Sequence, residues 1–416
     1  MKISASLYAV AKRAFWAMPA PLRDRLHGAR HNLVRWLRVG LPFTRGRANG
    51  PAWAHFQATV LGEQAFRQVF IFETNLDWNI TLYQRPHHMA LALGRLNCLV
   101  LYKTSGDGVS GFQQVAKNVW LTDVDQLPIE GAVSCFYSTS IFATDKDLLK
   151  AGKLGLTSYE YIDHIDAAIS GGQASLGRLQ ALKRQAFASS DLIVSSAALL
   201  QSEALQMCGA ERCVSIPNGV DLEHYRNASH RSRTLEKTFV DFRERYPEVV
   251  GYFGAIAPWL WYELIEDLAK RMTDKGFVFI GPDYSGCVPR LPQRDNVLYL
   301  GPVDYQALPG YAAQFDVCFI PFVKGEIARS TSPLKLFEYF ALEKPVVVTS
   351  DMLECTAFEE VLAGGDAQTV ANAIDTALAL HQNPDFRKRL RALANANSWD
   401  VRAETYIKSI ENLKNR

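Results

Sequence analysis

The sequence predicts an α/β protein with two domains of similar construction and a basic N-terminal extension. From about residue 67, short apolar runs rich in β-branched residues alternate with helical segments, as in parallel sheets covered by helices. A polar stretch at residues 223–248 interrupts the alternation, and a second set of runs follows it. With 416 residues, 48% of them hydrophobic, the chain is long enough for each domain to bury its own core.

The first domain is expected at residues 67–222. Seven of its apolar runs have the length and composition of buried strands, and the longer segments between them have helical character. Strands are expected at 69–73, 98–102, 119–122, 133–137, 158–162, 192–195 and 214–216, with helices at 86–95, 176–188 and 197–207.

The second domain is expected at residues 249–397, after a linker at 223–248. Parallel sheets bind ligands at the carboxyl ends of their strands, so two such domains predict a cleft where both sets of strand ends face each other. The last segment, residues 398–416, is expected to be a helix that packs back toward the first domain. Strands are expected at 249–253, 277–280, 297–300, 317–320 and 346–349, with helices at 262–270, 305–313, 333–342, 385–394 and 399–413.

Residues 1–66 are expected to form a basic, amphipathic helical extension. Residues 1–50 contain ten lysines or arginines and one acidic residue, although the whole chain has a net charge of +2. Apolar residues recur there at helical spacing with arginines between them, which is typical of a helix on an anionic membrane surface. A basic helix packed on the protein's own acidic body is the alternative, whereas the aromatic spacing does not suit nucleic acid. The apolar stripe consists of Leu22, Leu26, Ala29, Leu33 and Leu37.

The seven cysteines are scattered and form no CxxC pair, as expected of a reduced, cytosolic chain. No apolar run reaches the roughly 18 residues of a membrane-spanning helix. We therefore expect a cytoplasmic protein, at most peripheral on the inner face of a membrane, and neither secretion nor membrane spanning.

The stretch from Ser330 to Thr349 is the most informative one. Ser332 is a good N-cap and Pro333 a good first helical residue, so a helix is expected to begin here and to direct free backbone N–H groups toward a diphosphate. Lys335 would be misplaced beside the positive helix end unless an anion compensates it. Glu338 lies on the same face and could accept two ribose hydroxyls. The alternative is an ordinary surface ion pair on a helix whose apolar residues form core.

Five segments, taken in order, resemble the glycosyltransferases of GT-B architecture, in the large retaining group that includes bacterial surface polysaccharide enzymes. The resemblance covers about residues 67–412. The segments are Gln84-Arg-Pro-His-His-Met-Ala90, Asp191-Leu-Ile-Val-Ser-Ser196, Ile216-Pro-Asn-Gly-Val-Asp221, Gly251-Tyr-Phe-Gly-Ala-Ile256 and Ser332 to Val348.

The resemblance implies two facing Rossmann-like domains and transfer of a sugar from a UDP- or GDP-linked donor to a lipid-linked or saccharide acceptor. Retention of anomeric configuration also follows from it. No cofactor is expected, because Lys335 and the helix N–H groups are expected to replace a metal ion. Glu338 matches the ribose-binding glutamate of the family. The donor is expected to contact Gly254, Ser332, Pro333, Leu334, Lys335, Glu338 and Arg329.

The chain departs from the family pattern at two places. The glutamate usually found eight positions before the ribose glutamate is replaced by Ser330, and Glu326 is out of register. The basic residues common after the first glycine turn of the second domain are missing, because the segment 257–262 with Trp259 and Trp261 occupies that loop. Phosphate binding is therefore expected to depend on Lys335, with help from Arg329.

The catalytic candidates of the first domain follow its fifth expected strand. Asp163 and His164 fall at a strand's carboxyl end, where the resemblance places a polar residue near the reacting anomeric carbon. A helix-capping role is the alternative. Arg85, His87 and His88 begin the helix after the first strand and are expected to bind an anionic acceptor, with the phosphates of the donor as the alternative ligand. Lys335 is expected to be the third catalytic residue.

No metal site is expected. His87 and His88 have no acidic or cysteine partner at ligand spacing, and Asp123-Val-Asp125 is interpreted as a solvated turn. The expected function keeps two rivals. Ser330 prompts the first, a catalytically silent sugar-nucleotide-binding subunit of a polysaccharide assembly complex, and the second is a sugar-nucleotide epimerase of the same architecture.

Overall fold

A computed structural model of the protein describes residues 50–74, 76–104, 107–124, 127–140, 143–166, 173–226 and 235–415. The basic helix expected around residues 22–37, with its membrane role, lies outside the described residues, and so does Asp125. Within the described residues, none of the helices is both long and apolar enough to cross a membrane.

The described chain forms two compact units, and two short pieces of the first half of the sequence belong to the second unit. One unit consists of the described chain up to Asn79, Leu93–Val194 and Ala204–Val214, and the other of Ile80–Ala92, Ser195–Glu203 and the chain from Ser215 onward.

The first unit is built on an eight-stranded sheet with the order β3-β4-β2-β1-β5-β6-β7-β8. The pairs of β1 with β2 and β5, of β2 with β4 and of β5 with β6 are parallel, and β3 runs antiparallel to β4. The strands are β1 Val69–Glu73, β2 Leu99–Lys103, β3 Phe112–Ala116, β4 Val119–Thr122, β5 Val133–Tyr137, β6 Leu156–Tyr161, β7 Leu192–Ser195 and β8 Cys213–Ser215. The helices in this part of the sequence are α1 Gly50–Phe56, α2 Arg85–Arg95, α3 Asp145–Ala151, α4 Gln173–Ser189 and α5 Ala198–Cys208.

The second unit contains a six-stranded sheet in the order β11-β10-β9-β12-β13-β14, and every pair in it is parallel. Its strands are β9 Val249–Phe253, β10 Gly276–Ile280, β11 Val297–Gly301, β12 Val317–Ile320, β13 Val346–Thr349 and β14 Val361–Gly364. Its helices are α6 Leu222–Arg226, α7 Lys237–Arg245, α8 Tyr262–Arg271, α9 Leu308–Ala312, α10 Glu326–Ser330, α11 Leu334–Ala341, α12 Leu353–Thr356, α13 Ala367–Leu380, α14 Pro384–Ala396 and α15 Trp399–Lys414.

Apolar runs decide where the central strands form. Every residue of β9, β10, β12 and β13 is buried, as expected of strands covered by helices on both faces. These strands were expected from the sequence to within one residue of the observed ends. Their carboxyl ends carry the loops from which the candidate site of this unit is built.

The structure adds elements that were not expected from the sequence, of which the longest is helix α13. The edge strands β3 and β14 were missed: β3 has two exposed glutamines and no buried residue, and β14 is partly exposed and ends in Ala363 and Gly364. Part of the expected linker is helix α7. It buries only Phe239 and Phe242, so its sequence is mostly polar. The end of the expected extension is helix α1, whose Phe56 ring stacks on Phe112 of β3 at a centroid distance of 4.1 Å.

Candidate functional site

Helix α11 begins one residue later than the sequence suggests. Its N-cap is Pro333, in an extended conformation, and no side chain caps the first turn. The expectation that Ser332 is the N-cap is therefore wrong: the ring fixes φ of Pro333, but its ψ of 126° lies outside the helical range. The first backbone N–H groups of a helix have no intrahelical acceptor, so this turn is open to an anion.

Lys335 lies in that first turn, with its ammonium held between two aromatic rings. The Nζ atom is 5.3 Å from the ring centres of both Tyr252 and Phe322. Burial lowers the pKa of Lys335 to about 8, while the nearby charge of Glu338 opposes that change. The side chain is therefore a cation whose own solvation is poor, and a diphosphate would supply the missing negative charge.

Glu338 lies one turn further along the same face of α11 and is only 7% exposed. Its pKa is raised to about 7 because burial penalises the carboxylate, although the Tyr225 hydroxyl and the Lys335 ammonium favour the charged form. The alternative of a solvated surface ion pair is wrong for this reason. A buried acceptor beside a buried donor is the arrangement that a polar ligand can complete.

Gly254 brings the loop after β9 against the side chain of Lys335. Its φ is +144°, and a Cβ atom at this position would come within 2.9 Å of Lys335 Cε. Gly254 also lines a small pocket together with Leu82, Gly281 and Pro282. The structure thus brings together Gly254 and Lys335, two residues that are 81 positions apart in the sequence.

The body of α11 is anchored on the same strand. The backbone N–H of Phe253 donates to the Tyr339 hydroxyl at 3.2 Å, and the two rings meet edge to face at 4.8 Å. Tyr339 is fully buried. Helix α11 and the glycine turn are therefore held in one fixed arrangement.

Arg329 is already engaged in the described structure. Its Nε donates to Asp351 Oδ2 at 3.2 Å, and its Nη1 lies 3.7 Å from Glu326. A role of Arg329 in phosphate binding stays a prediction, and it would require Arg329 to exchange its contact with Asp351 for one with the phosphate. Ser330 is 3% exposed and donates to the Glu326 carbonyl at 2.6 Å, so its hydroxyl is used within α10.

Arg85, His87 and His88 are buried, with exposures of 3%, 0% and 1%. His87 Nδ1 accepts a hydrogen bond from the Gln84 backbone at 3.2 Å, and the His88 ring stacks on Trp399 at 5.4 Å. An acceptor-binding role for these residues stays a prediction, and their burial does not favour it. The sequence could not reveal this, because the burial depends on helix α15, more than 300 residues away.

Asp163 and His164 follow β6 in the first unit, as expected. The Ser138 hydroxyl accepts hydrogen bonds from the backbone N–H groups of Ile162 and Asp163 at 3.1 and 3.2 Å. This pair of bonds fixes the backbone after the strand, and both candidate side chains are partly exposed. Their catalytic role stays a prediction.

The described residues contain no group of three or more His, Cys, Asp or Glu side chains arranged to hold a metal ion. Asp123 Oδ1 accepts from the Gly111 backbone at 2.8 Å, as the interpretation of a turn expects. In the loop after β9, Trp261 is partly exposed and Lys324 Nζ lies 5.5 Å from its ring centre.

The two sheets with their covering helices have the GT-B architecture, and helix α11, whose first turn has no side-chain cap, follows the carboxyl end of a strand of the second sheet. Residues 247–380 match the family described as Glycosyl transferases group 1. The matched range is about a third of the chain, and it contains α11 with Lys335 and Glu338.

Similar proteins include TuaH of Bacillus subtilis (strain 168), named as a teichuronic acid biosynthesis glycosyltransferase. It is 27% identical over 200 residues, which are 46% of this chain and 49% of TuaH. The match therefore spans about half the length of this curated relative.

Two solved structures have the same fold at low sequence identity. An α,α-trehalose 6-phosphate synthase from Burkholderia multivorans aligns with a TM-score of 0.60 at 12% identity, over 84% of this chain and 99% of the other. HepE of Anabaena, in complex with UDP and glucose, aligns with a TM-score of 0.54 at 15% identity, over 83% and 99%.

Proposed function

We propose that the protein transfers a sugar from a nucleoside diphosphate sugar to a saccharide or lipid-linked acceptor in the synthesis of a surface polysaccharide or glycoconjugate. The observation that carries this proposal is the uncapped first turn of α11, with Lys335 and Glu338 on one face of the helix. The family match over residues 247–380 and the name of the Bacillus relative support the same class of reaction.

In the proposed complex, the N–H groups of the first turn and the Lys335 ammonium bind the diphosphate. Glu338 accepts hydrogen bonds from the ribose hydroxyls. The UDP complex of HepE supports a uridine donor, while GDP remains the second nucleotide to test. Each half of the donor then has a complementary group on one short helix.

The chemical step breaks the bond between the anomeric carbon and the diphosphate oxygen, and the electron pair goes to the diphosphate. Positive charge on Lys335 and the helix end stabilises this leaving group, which is the task that Mg²⁺ performs in many transferases. The acceptor oxygen forms the new bond to the anomeric carbon, and its proton passes to the departing diphosphate. We propose metal-independent transfer with retention, with Asp163 or His164 near the reacting carbon.

A catalytically silent subunit is the second candidate, favoured by one observation. Ser330 replaces the family's donor-sugar glutamate, and its hydroxyl donates to the Glu326 carbonyl rather than facing a ligand. Such a protein would bind a nucleotide sugar without transferring the sugar.

The test is release of UDP or GDP from a panel of nucleotide sugars, with and without lipid-linked or saccharide acceptors. Acceptor-dependent release, lost in K335A and E338A, is the expected result. Binding without release would identify a silent subunit, and conversion of the donor without an acceptor would identify an epimerase. Unchanged nucleotide affinity in both variants would refute the proposed site.

A further inference from the structure

Asn218 occupies the centre of a buried hydrogen-bond network beside the start of α11. Its side-chain Nδ2 donates to the Ser332 carbonyl at 2.5 Å, and its backbone N–H donates to Ser332 Oγ at 3.3 Å. Asn218 is 9% exposed and Ser332 is 4% exposed. Ser332 directly precedes the N-cap of α11, so Asn218 fixes the residue from which the helix starts.

Two arginines hold Asn218 from the other side. Arg85 Nη1 donates to Asn218 Oδ1 at 3.1 Å and to the Pro217 carbonyl at 3.3 Å, while Arg402 Nε donates to the Asn218 carbonyl at 3.2 Å. Burial and the neighbouring charge of Arg85 lower the pKa of Arg402 to about 10. Two guanidinium groups in one neighbourhood repel each other, so the shared acceptor residue is what keeps them together.

The turn that carries Asn218 leaves no room for a different backbone path. A Cβ atom on Gly219 would come within 2.6 Å of the Asn397 carbonyl oxygen, and the next N–H, of Val220, donates to that same carbonyl at 3.1 Å. The Arg85 guanidinium also lies 5.7 Å from the ring centre of Trp399. Arg85 and Asn218 are therefore held on a rigid base formed by the turn and the start of α15.

We propose that Arg85 is a positioning residue for the donor: through Asn218 and Ser332 it sets the place and direction of the first turn of α11. This inference rests on the proposed function. It differs from the expectation that Arg85 binds the acceptor, because Arg85 is 3% exposed and its guanidinium donates to Pro217 and Asn218, beside the donor helix.

The network acts on the part of the site that needs the most accurate placement. The first-turn N–H groups can bind a diphosphate only if they converge on it, and a displacement of about 1 Å can cost on the order of 100-fold in rate. Asn218 donates hydrogen bonds to both the hydroxyl and the carbonyl of Ser332. These two bonds restrain rotation as well as translation of the helix start.

The test compares R85Q, R85K, N218A and the double variant R85Q/N218A with the wild-type chain. We expect R85Q to raise the dissociation constant of UDP and the donor KM by about 10-fold and to lower kcat, with the acceptor KM unchanged. R85K, which keeps one donor, should recover part of the loss. The double variant should be no worse than N218A, because both changes break the same path.

Arg212 provides a matched control, since its guanidinium also donates to two backbone carbonyls, of Phe187 and Ser190, at 2.9 Å. R212Q should lower the unfolding temperature to a similar extent and leave UDP affinity unchanged. The inference is overturned if R85Q matches R212Q in UDP affinity, if R85Q raises the acceptor KM instead, or if the R85Q and N218A effects add. The K335A variant distinguishes failure of this inference from failure of the proposed function. If K335A binds UDP with unchanged affinity, the proposed function itself fails.

Discussion

Replacement of Lys335 by methionine should weaken donor binding and, at the same time, stabilise the free protein. The ammonium pKa is about 8 instead of the ordinary 10.5, which corresponds to about 3 kcal/mol of unfavourable free energy for the charged form at neutral pH. Methionine has a similar length and needs no solvation. Because Glu338 loses a neighbouring cation, the net gain in unfolding free energy should be about 1–2 kcal/mol.

The same change removes a charge-assisted contact to the diphosphate, worth about 1.5–3 kcal/mol. The dissociation constant of UDP at pH 7 should therefore rise by about 10- to 150-fold. Calorimetric titration with UDP measures the first effect, and thermal or urea unfolding of the ligand-free protein measures the second.

The stabilising effect of the K335M change also has a defined pH dependence. Below pH 8 the folded and unfolded chains both carry the charged lysine, so the gain is fully present. It should fade as the pH rises from about 8 toward 10.5, where the folded lysine is already neutral. K270M, which changes an exposed lysine paired with Glu266, is the control and should leave UDP affinity unchanged. Wild-type affinity for UDP in K335M would refute the reasoning.

Four further outcomes are expected. UDP affinity of the wild-type chain should fall as the pH rises through about 8, where Lys335 loses its proton, and a flat titration profile between pH 7 and 9 would contradict this. E338Q should weaken UDP binding by about 10-fold, because the nucleoside contacts the carboxylate. Competition by inorganic pyrophosphate should be unchanged, because pyrophosphate does not contact the carboxylate. G254A should weaken UDP binding in the same calorimetric assay, since its Cβ would displace Lys335 Cε, and an unchanged constant would mean that the lysine adapts freely. Deletion of residues 1–50 should abolish sedimentation with anionic liposomes; undiminished binding would refute the membrane role expected from the sequence.

The sequence predicted the central strands well because their burial leaves a continuous apolar run, as in Val346–Thr349. It predicted the donor helix through the residue types near its start, and it missed the cap by one position because a proline can precede a helix as well as begin it. Helix α7 was missed since two buried phenylalanines among charged residues give little periodicity.

The remaining part of the site depends on residues that are distant in sequence. Asn218 lies in one of the segments that resemble the family, and nothing in its sequence neighbourhood indicates that its amide donates to Ser332, which lies 114 positions later. Arg85 and His88 were expected to face a ligand because they begin the helix that follows the first strand. Their burial beside Trp399 and Asn218 depends on tertiary contacts that no local pattern contains.

The uncapped start of α11 has a consequence for how the chain could be altered by mutation. Serine or aspartate in the position of Pro333 would offer the first turn an oxygen from the chain itself, and such caps commonly stabilise a helix by about 1 kcal/mol. That oxygen would occupy the place proposed for the phosphate oxygens and act as a permanently tethered competitor. Proline cannot provide this oxygen. The helix therefore lacks the stabilisation of an N-cap side chain, and its first turn stays available to a ligand from solution.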